Sequence, residues 1–211
     1  MTAGARPWVK LCGITCTEDA LAAVDAGADA LGLNFVGSSK RQIDLDTALQ
    51  IAEAVKGRVE LVGVVANIPP KQLEALRSAA LLDWLQLHGE ESPATLAAVP
   101  RAFKAVAIAT AADVAQADGF PGERLLVDAK VEGSSGGSGA TFDWSLVMSL
   151  ARHRTIILAG GLTPENVARA VRSVNPWGVD VASGIEQTGN PRRKDPEKME
   201  RFVRAARASR R

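Results

Sequence analysis

Short apolar, β-branched runs alternate along the chain with longer stretches whose apolar residues recur at helical spacing. The runs fall at residues 8–12, 30–35, 59–65, 84–88, 103–108, 124–128, 155–159 and 178–182. Helices are predicted over 17–26, ending at Gly27, and over 44–56, stopped by Gly57. A third opens at Pro69-Pro70, where proline suits a first turn, and a short alanine-rich one follows the fifth run. Strands this apolar on both faces suit a parallel sheet covered by helices. The pattern predicts eight β-then-α units in one domain spanning residues 1–211.

Two architectures compete. A doubly wound open sheet carries its phosphate-binding glycines after the first strand, whereas here Gly160-Gly161 and Ser183-Gly184 follow the seventh and eighth. Barrels bind phosphate there. The expected fold is therefore a closed (β/α)8 barrel, a TIM barrel, with its active site at the C-terminal face.

Composition narrows the partners. Lysine plus arginine (25) nearly cancels aspartate plus glutamate (24), so no global field favours nucleic acid or a membrane surface. The basic run at 201–207 reads as the solvated face of a last helix. Residues 1–7 lack the apolar core of a signal peptide, and nowhere do eighteen apolar residues run unbroken. The two cysteines, Cys12 and Cys16, make no disulfide framework, and a reducing cytoplasm is the expected setting. With only His88 and His153 besides, no zinc site is expected.

In a barrel, side chains at strand C-termini and in the following loops face the site. That rule selects Cys12, Arg41, His88, Asp128, Gly160, Gly161, Asp180, Ser183 and Gly184. The two glycine loops let backbone N–H groups approach an anion, and the second opens a short extra helix. A thiolate at Cys12 is a competent base, and a modest downward shift from a thiol pKa of about 8.5 would poise it near neutrality; backbone dipoles or a cation could supply that shift. Asp128 is either a salt-bridge partner for Lys10 or Lys104, or a catalytic acid. Arg41 could grip a carboxylate bidentately or be a solvated charge beside Lys40. Asp180 suits an amine or hydroxyl, and His88 is read as a hydrogen-bonding wall residue. Gly136, Gly137, Ser138 and Gly139, inside the sixth βα unit, read as part of a mobile lid.

These residues also carry a resemblance. Val9-Lys10-Leu11-Cys12-Gly13-Ile14-Thr15 resembles the opening motif of the phosphoribosylanthranilate isomerases, barrel enzymes of tryptophan biosynthesis. So do Gln86-Leu87-His88-Gly89-Glu90, Leu126-Val127-Asp128-Ala129-Lys130, Ala159-Gly160-Gly161-Leu162-Thr163-Pro164-Glu165-Asn166-Val167 and Val179-Asp180-Val181-Ala182-Ser183-Gly184-Ile185-Glu186. The resemblance implies an aldose–ketose isomerase acting on a small sugar phosphate, with no metal or organic cofactor, as a monomer or homodimer. It implies an Amadori rearrangement in which Asp128 is the general acid at the furanose oxygen and Cys12 the general base at C2′. It assigns Arg41 to the anthranilate carboxylate, Asp180 to the anthranilate nitrogen, and the Gly160-Gly161 and Ser183-Gly184 loops to phosphate. Cys12 separates the chain from the related histidine-pathway isomerase, whose first strand ends in aspartate. Departures from the family pattern are Ala182 in place of a common serine, the absence of tyrosine, and Asn34-Phe35-Val36-Gly37, which lacks an aromatic often found after the second strand.

Overall fold

A computed structural model describes residues 6–128 and 144–209. Eight parallel strands form a closed barrel: β1 Trp8–Cys12, β2 Ala30–Asn34, β3 Glu60–Val65, β4 Trp84–Leu87, β5 Ala102–Ala107, β6 Arg124–Asp128, β7 Thr155–Ala159 and β8 Gly178–Val181. Each pairs with the next, and β8 returns to β1 with Lys10 opposite Asp180. The crossover helices are α1 Thr17–Asp25, α2 Leu45–Val55, α3 Pro70–Ala79, α4 Pro93–Ala97, α5 Ala111–Asp118, α6 Ser145–Ala151 and α7 Val167–Val174, with α8 Pro196–Ala208 closing the ring. No described helix is long and apolar enough to cross a membrane.

The expected barrel is the observed one. Local chemistry explains where its helices begin. Asp44 caps α2 by accepting from the Thr47 amide at 2.8 Å, and Thr110 and Asp113 cap each other at the start of α5. Asp195 accepts from two amides of α8, with Pro196 in the first turn. The helix of the fourth unit, α4, is only five residues long. One element goes beyond the sequence expectation: a hairpin after β8, made of β9 Glu186–Gln187 and β10 Asn190–Lys194. The helix expected at Ser183 is a single 3-10 turn, Ser183–Ile185.

The strands look uniformly apolar because they are buried on both faces, and alternate residues enter two different cores. Leu31, Leu85, Leu125, Ile156 and Val179 pack outward against helix residues such as Ile51, Leu73 and Phe202. Ala30, Val62, Phe103, Ala105, Leu126, Ile157 and Ala159 fill the barrel's interior. The interior is sealed at the strand N-termini by three tryptophans around one arginine. The Arg124 guanidinium carbon lies 4.0 Å from the Trp84 ring centroid, 4.8 Å from that of Trp177 and 5.4 Å from that of Trp8. Glu60 accepts from both the Trp8 indole and Arg124 at 3.2 Å.

This plug generates a test. Arg124→Met keeps the bulk but removes the charge that faces three π surfaces and Glu60. It is expected to cost about 2 kcal/mol and to lower Tm by about 4–8 °C. Tryptophan emission reads this directly, because the chain has no tyrosine and three of its four tryptophans sit in the plug.

Candidate active site

Alternation along β1 places Cys12 and Lys10 on the same inward face, Cys12 at the mouth and Lys10 one layer below. The Lys10 side chain is fully buried. Its ammonium lies 2.8 Å from Asp180 Oδ1 and 2.8 Å from Gln86 Oε1. Burial alone would lower its pKa, but the Asp180 carboxylate and the Cys12 sulfur more than offset this and hold it above its ordinary value. Gln86 accepts from Lys10 through its oxygen, so its amide nitrogen faces His88 Nδ1 at 3.0 Å. The neutral His88 ring therefore carries its proton on Nε2. Burial lowers the His88 pKa, against the pull of Asp128, which keeps the ring neutral at pH 7.

Above Lys10, the groups Cys12, Gln86, His88 and Asp180 open onto one cavity of about 550 Å³ at the C-terminal ends of the strands. Its wall includes Cys12, Arg41, His88, Asp128, Gly160, Gly161, Asp180 and Ser183. The ninth candidate, Gly184, does not line it. A Cβ there would collide with the Leu162 carbonyl, so packing of the seventh loop on the eighth accounts for this glycine. Gly160 and Gly161 both have positive φ, 89° and 61°, the backbone geometry that turns amide groups into an anion-binding concavity. The candidate lid residues Gly136, Gly137, Ser138 and Gly139 lie outside the described residues. A larger hollow of about 800 Å³ at the strand N-termini is lined by Arg6, Asp29, Arg58 and Arg207, with Asp29 paired to both Arg6 and Arg207.

Asp128 ends β6 between Ala107 and Ala159 of the flanking strands, so small neighbours leave its carboxyl room at the mouth. The two lysines weighed as its partners are engaged elsewhere. Lys10 holds Asp180 and Gln86, and Lys104 holds Glu91 at 3.0 Å together with the Leu87 and Gly89 carbonyls. Glu91 in turn accepts from the Asn67 and Gly89 amides and so braces the loop that follows His88.

The Cys12 thiol departs from the sequence expectation. Two cations act on it, Lys10 by contact and Lys194 through space, and both favour the thiolate. Burial outweighs them and Asp180 opposes them, so the thiol sits above rather than below its ordinary value. Space for the sulfur comes from the next strand: Gly32 pairs with Cys12, and a Cβ there would lie 2.6 Å from Sγ.

Sequence reasoning missed Glu186 and Lys194, which the hairpin brings to the mouth. Arg41 Nε donates to Glu186 Oε1 at 2.5 Å, and the buried Lys194 ammonium lies 3.4 Å from the same oxygen. Both residues come from a segment with no periodic signal, and only Glu186 fell within a recognised motif.

Comparison with known proteins decides the family. The family model for N-(5'-phosphoribosyl)anthranilate (PRA) isomerase matches residues 9–205. The chain belongs to this family. The isomerase of Magnetococcus marinus is 44% identical over 200 residues, which cover 94% of each chain. The crystal structure of the isomerase from Thermotoga maritima shares 38% identity with a TM-score of 0.89, covering 96% of this chain and 99% of that one. A second isomerase structure, solved with reduced 1-(o-carboxyphenylamino)-1-deoxyribulose 5-phosphate, shares 35% identity with a TM-score of 0.85 over 96% and 99% of the two chains.

The site's electrostatics and packing give three expected outcomes for this isomerase-family chain. In a Cys16→Ser background, alkylation of Cys12 by iodoacetamide should rise with pH and reach half its limit above pH 9.0. Lys194→Met should move that midpoint higher still, because a cation favouring thiolate is gone. Gly32→Ala should push the sulfur off its position and cut kcat at least about tenfold, with the fold unchanged by circular dichroism.

Proposed function

We propose that this protein rearranges N-(5'-phosphoribosyl)anthranilate to 1-(2-carboxyphenylamino)-1-deoxyribulose 5-phosphate, an aldose–ketose isomerisation in tryptophan biosynthesis. The observation that carries the reading is one cavity lined at once by a thiol, a carboxyl group, an arginine and a double-glycine turn. That set matches a sugar phosphate joined to an aromatic carboxylate.

In this reading the Gly160-Gly161 turn and Ser183 hold the phosphate through backbone and hydroxyl donors. Arg41 meets the anthranilate carboxylate. Asp180 Oδ1 is taken by Lys10, which leaves Oδ2 to accept from the anthranilate N–H. His88 offers its Nε2–H to the substrate. Asp128 gives a proton to the furanose oxygen as the C1′–O bond breaks and the nitrogen lone pair forms the imine. The Cys12 thiolate then takes the C2′ proton, and that bond's electrons become the C1′–C2′ double bond of an enolamine. Protonation at C1′ with loss of the 2′-hydroxyl proton gives the ketone. The two protons gained (ring oxygen, C1′) match the two lost (C2′, 2′-hydroxyl), so no atom is gained or lost overall. Lys10 stabilises the thiolate as it forms, since each cation near a buried sulfur favours its charged state. A catalyst that depends on a free thiol suits the reducing cytoplasm.

The test is the decay of phosphoribosylanthranilate fluorescence on addition of the purified protein. Cys12→Ala and Asp128→Asn should each lower kcat at least about a hundredfold, the scale for losing a base or an acid. Turnover within a few-fold of wild type in both variants removes this mechanism.

A further inference from the structure

The β9–β10 hairpin clasps the loops of the first two βα units. Arg192 donates to the Lys40 and Gln42 carbonyls at 3.2 and 2.9 Å, and its own carbonyl accepts from the Thr15 hydroxyl. The Lys194 amide donates to Asp19 at 2.7 Å, and Arg193 pairs with the same carboxylate at 3.2 Å. Lys198 donates to the Glu186 carbonyl at 2.8 Å, and Lys194 to the Ala182 carbonyl at 3.0 Å. Glu186 is thus fixed at both its backbone and its carboxylate, and that carboxylate is the group that receives Arg41 Nε.

The geometry points to Glu186 as the positioning residue that aims Arg41 at the substrate carboxylate, an inference that rests on the role proposed for Arg41 above. Arginine has five N–H donors, and Glu186 engages the single one on Nε. The fork formed by the two terminal nitrogens stays available for a carboxylate, with one of its rotational freedoms removed in advance. The stem of Arg41 is confined as well: it crosses Gly13, where a Cβ would overlap Arg41 Cδ. Charge is balanced to match. Arg41 and Lys194 against Glu186 leave one net positive charge, which a substrate carboxylate neutralises.

Electrostatics and positioning predict opposite signs, which makes the inference testable. Removing a negative charge beside Arg41 would, by Coulomb attraction alone, tighten binding of a carboxylate ligand. Loss of the anchor weakens it. The measurement is the Kd, by isothermal titration, of reduced 1-(o-carboxyphenylamino)-1-deoxyribulose 5-phosphate and of its phenylamino counterpart without the carboxylate. Glu186→Gln should raise the first Kd about tenfold and the second less than about twofold, with Glu186→Asp recovering part of the loss. Unchanged or tighter binding of the carboxylate ligand overturns the inference, and so does an equal loss for both ligands, the mark of general disruption. Arg41→Met separates the two failures. If it does not discriminate between the ligands, the role of Arg41 falls and this inference with it; if it does while Glu186→Gln does not, only the inference falls.

Discussion

A charged ammonium sits in the centre of the barrel with no access to water, and the mouth is organised around its pairing. An isolated lysine there would face a penalty of several kcal/mol. Lys10 persists because register brings Asp180 opposite it and Gln86 within hydrogen-bond reach. Each of those contacts then determines something above it. Asp180 is left one free oxygen, Gln86 is oriented so that it dictates the His88 tautomer, and the Cys12 sulfur gains a neighbouring cation. Removing Asp180 would leave an uncompensated buried charge, which typically costs about 3–5 kcal/mol. The constraint that stabilises this layer and the one that sets the polarity of the cavity are the same.

Electrostatics at the mouth is a contest between burial and charge. For Lys10 the neighbouring anions win, and the group is more basic than usual. For Cys12 burial wins despite two cations, so the group is less acidic than usual. The difference follows from what each group becomes on ionisation: the lysine gains a carboxylate partner, while the thiolate must share its surroundings with that same carboxylate. A thiolate formed at this position binds its proton more tightly than one on a cysteine of ordinary pKa.

Much of this was legible in the chain. The runs at Trp8–Cys12, Arg124–Asp128 and Thr155–Ala159 coincide with the observed strands, because buried parallel strands are continuous apolar segments bounded by polar or glycine turns. Cys12, Asp128 and Asp180 were readable as polar residues at or near strand ends. Their partners were not, since Lys10 and Asp180 are separated by 170 positions and only register joins them. The ionisation of Cys12 depends on burial, which no local pattern reports. The hairpin escaped notice because Asn190–Lys194 is almost wholly polar, so neither helical nor strand periodicity marks it. The requirement for glycine at 184 comes from the Leu162 carbonyl, a neighbour invisible in one dimension.

The hairpin's clasp has a further bearing on how such a chain comes to function. Asp19 lies in the first helix and Lys194 just before the last, 175 positions apart, yet they bond directly over the seam where the first and last strands meet. A polypeptide still emerging from the ribosome holds Lys10 and Arg41 early, but the carboxylates that pair with them, Asp180 and Glu186, are among the last residues to be made. The polar layer of the mouth is therefore completed only by contacts of long sequence separation, the kind whose loop-closure entropy must be overcome late in folding.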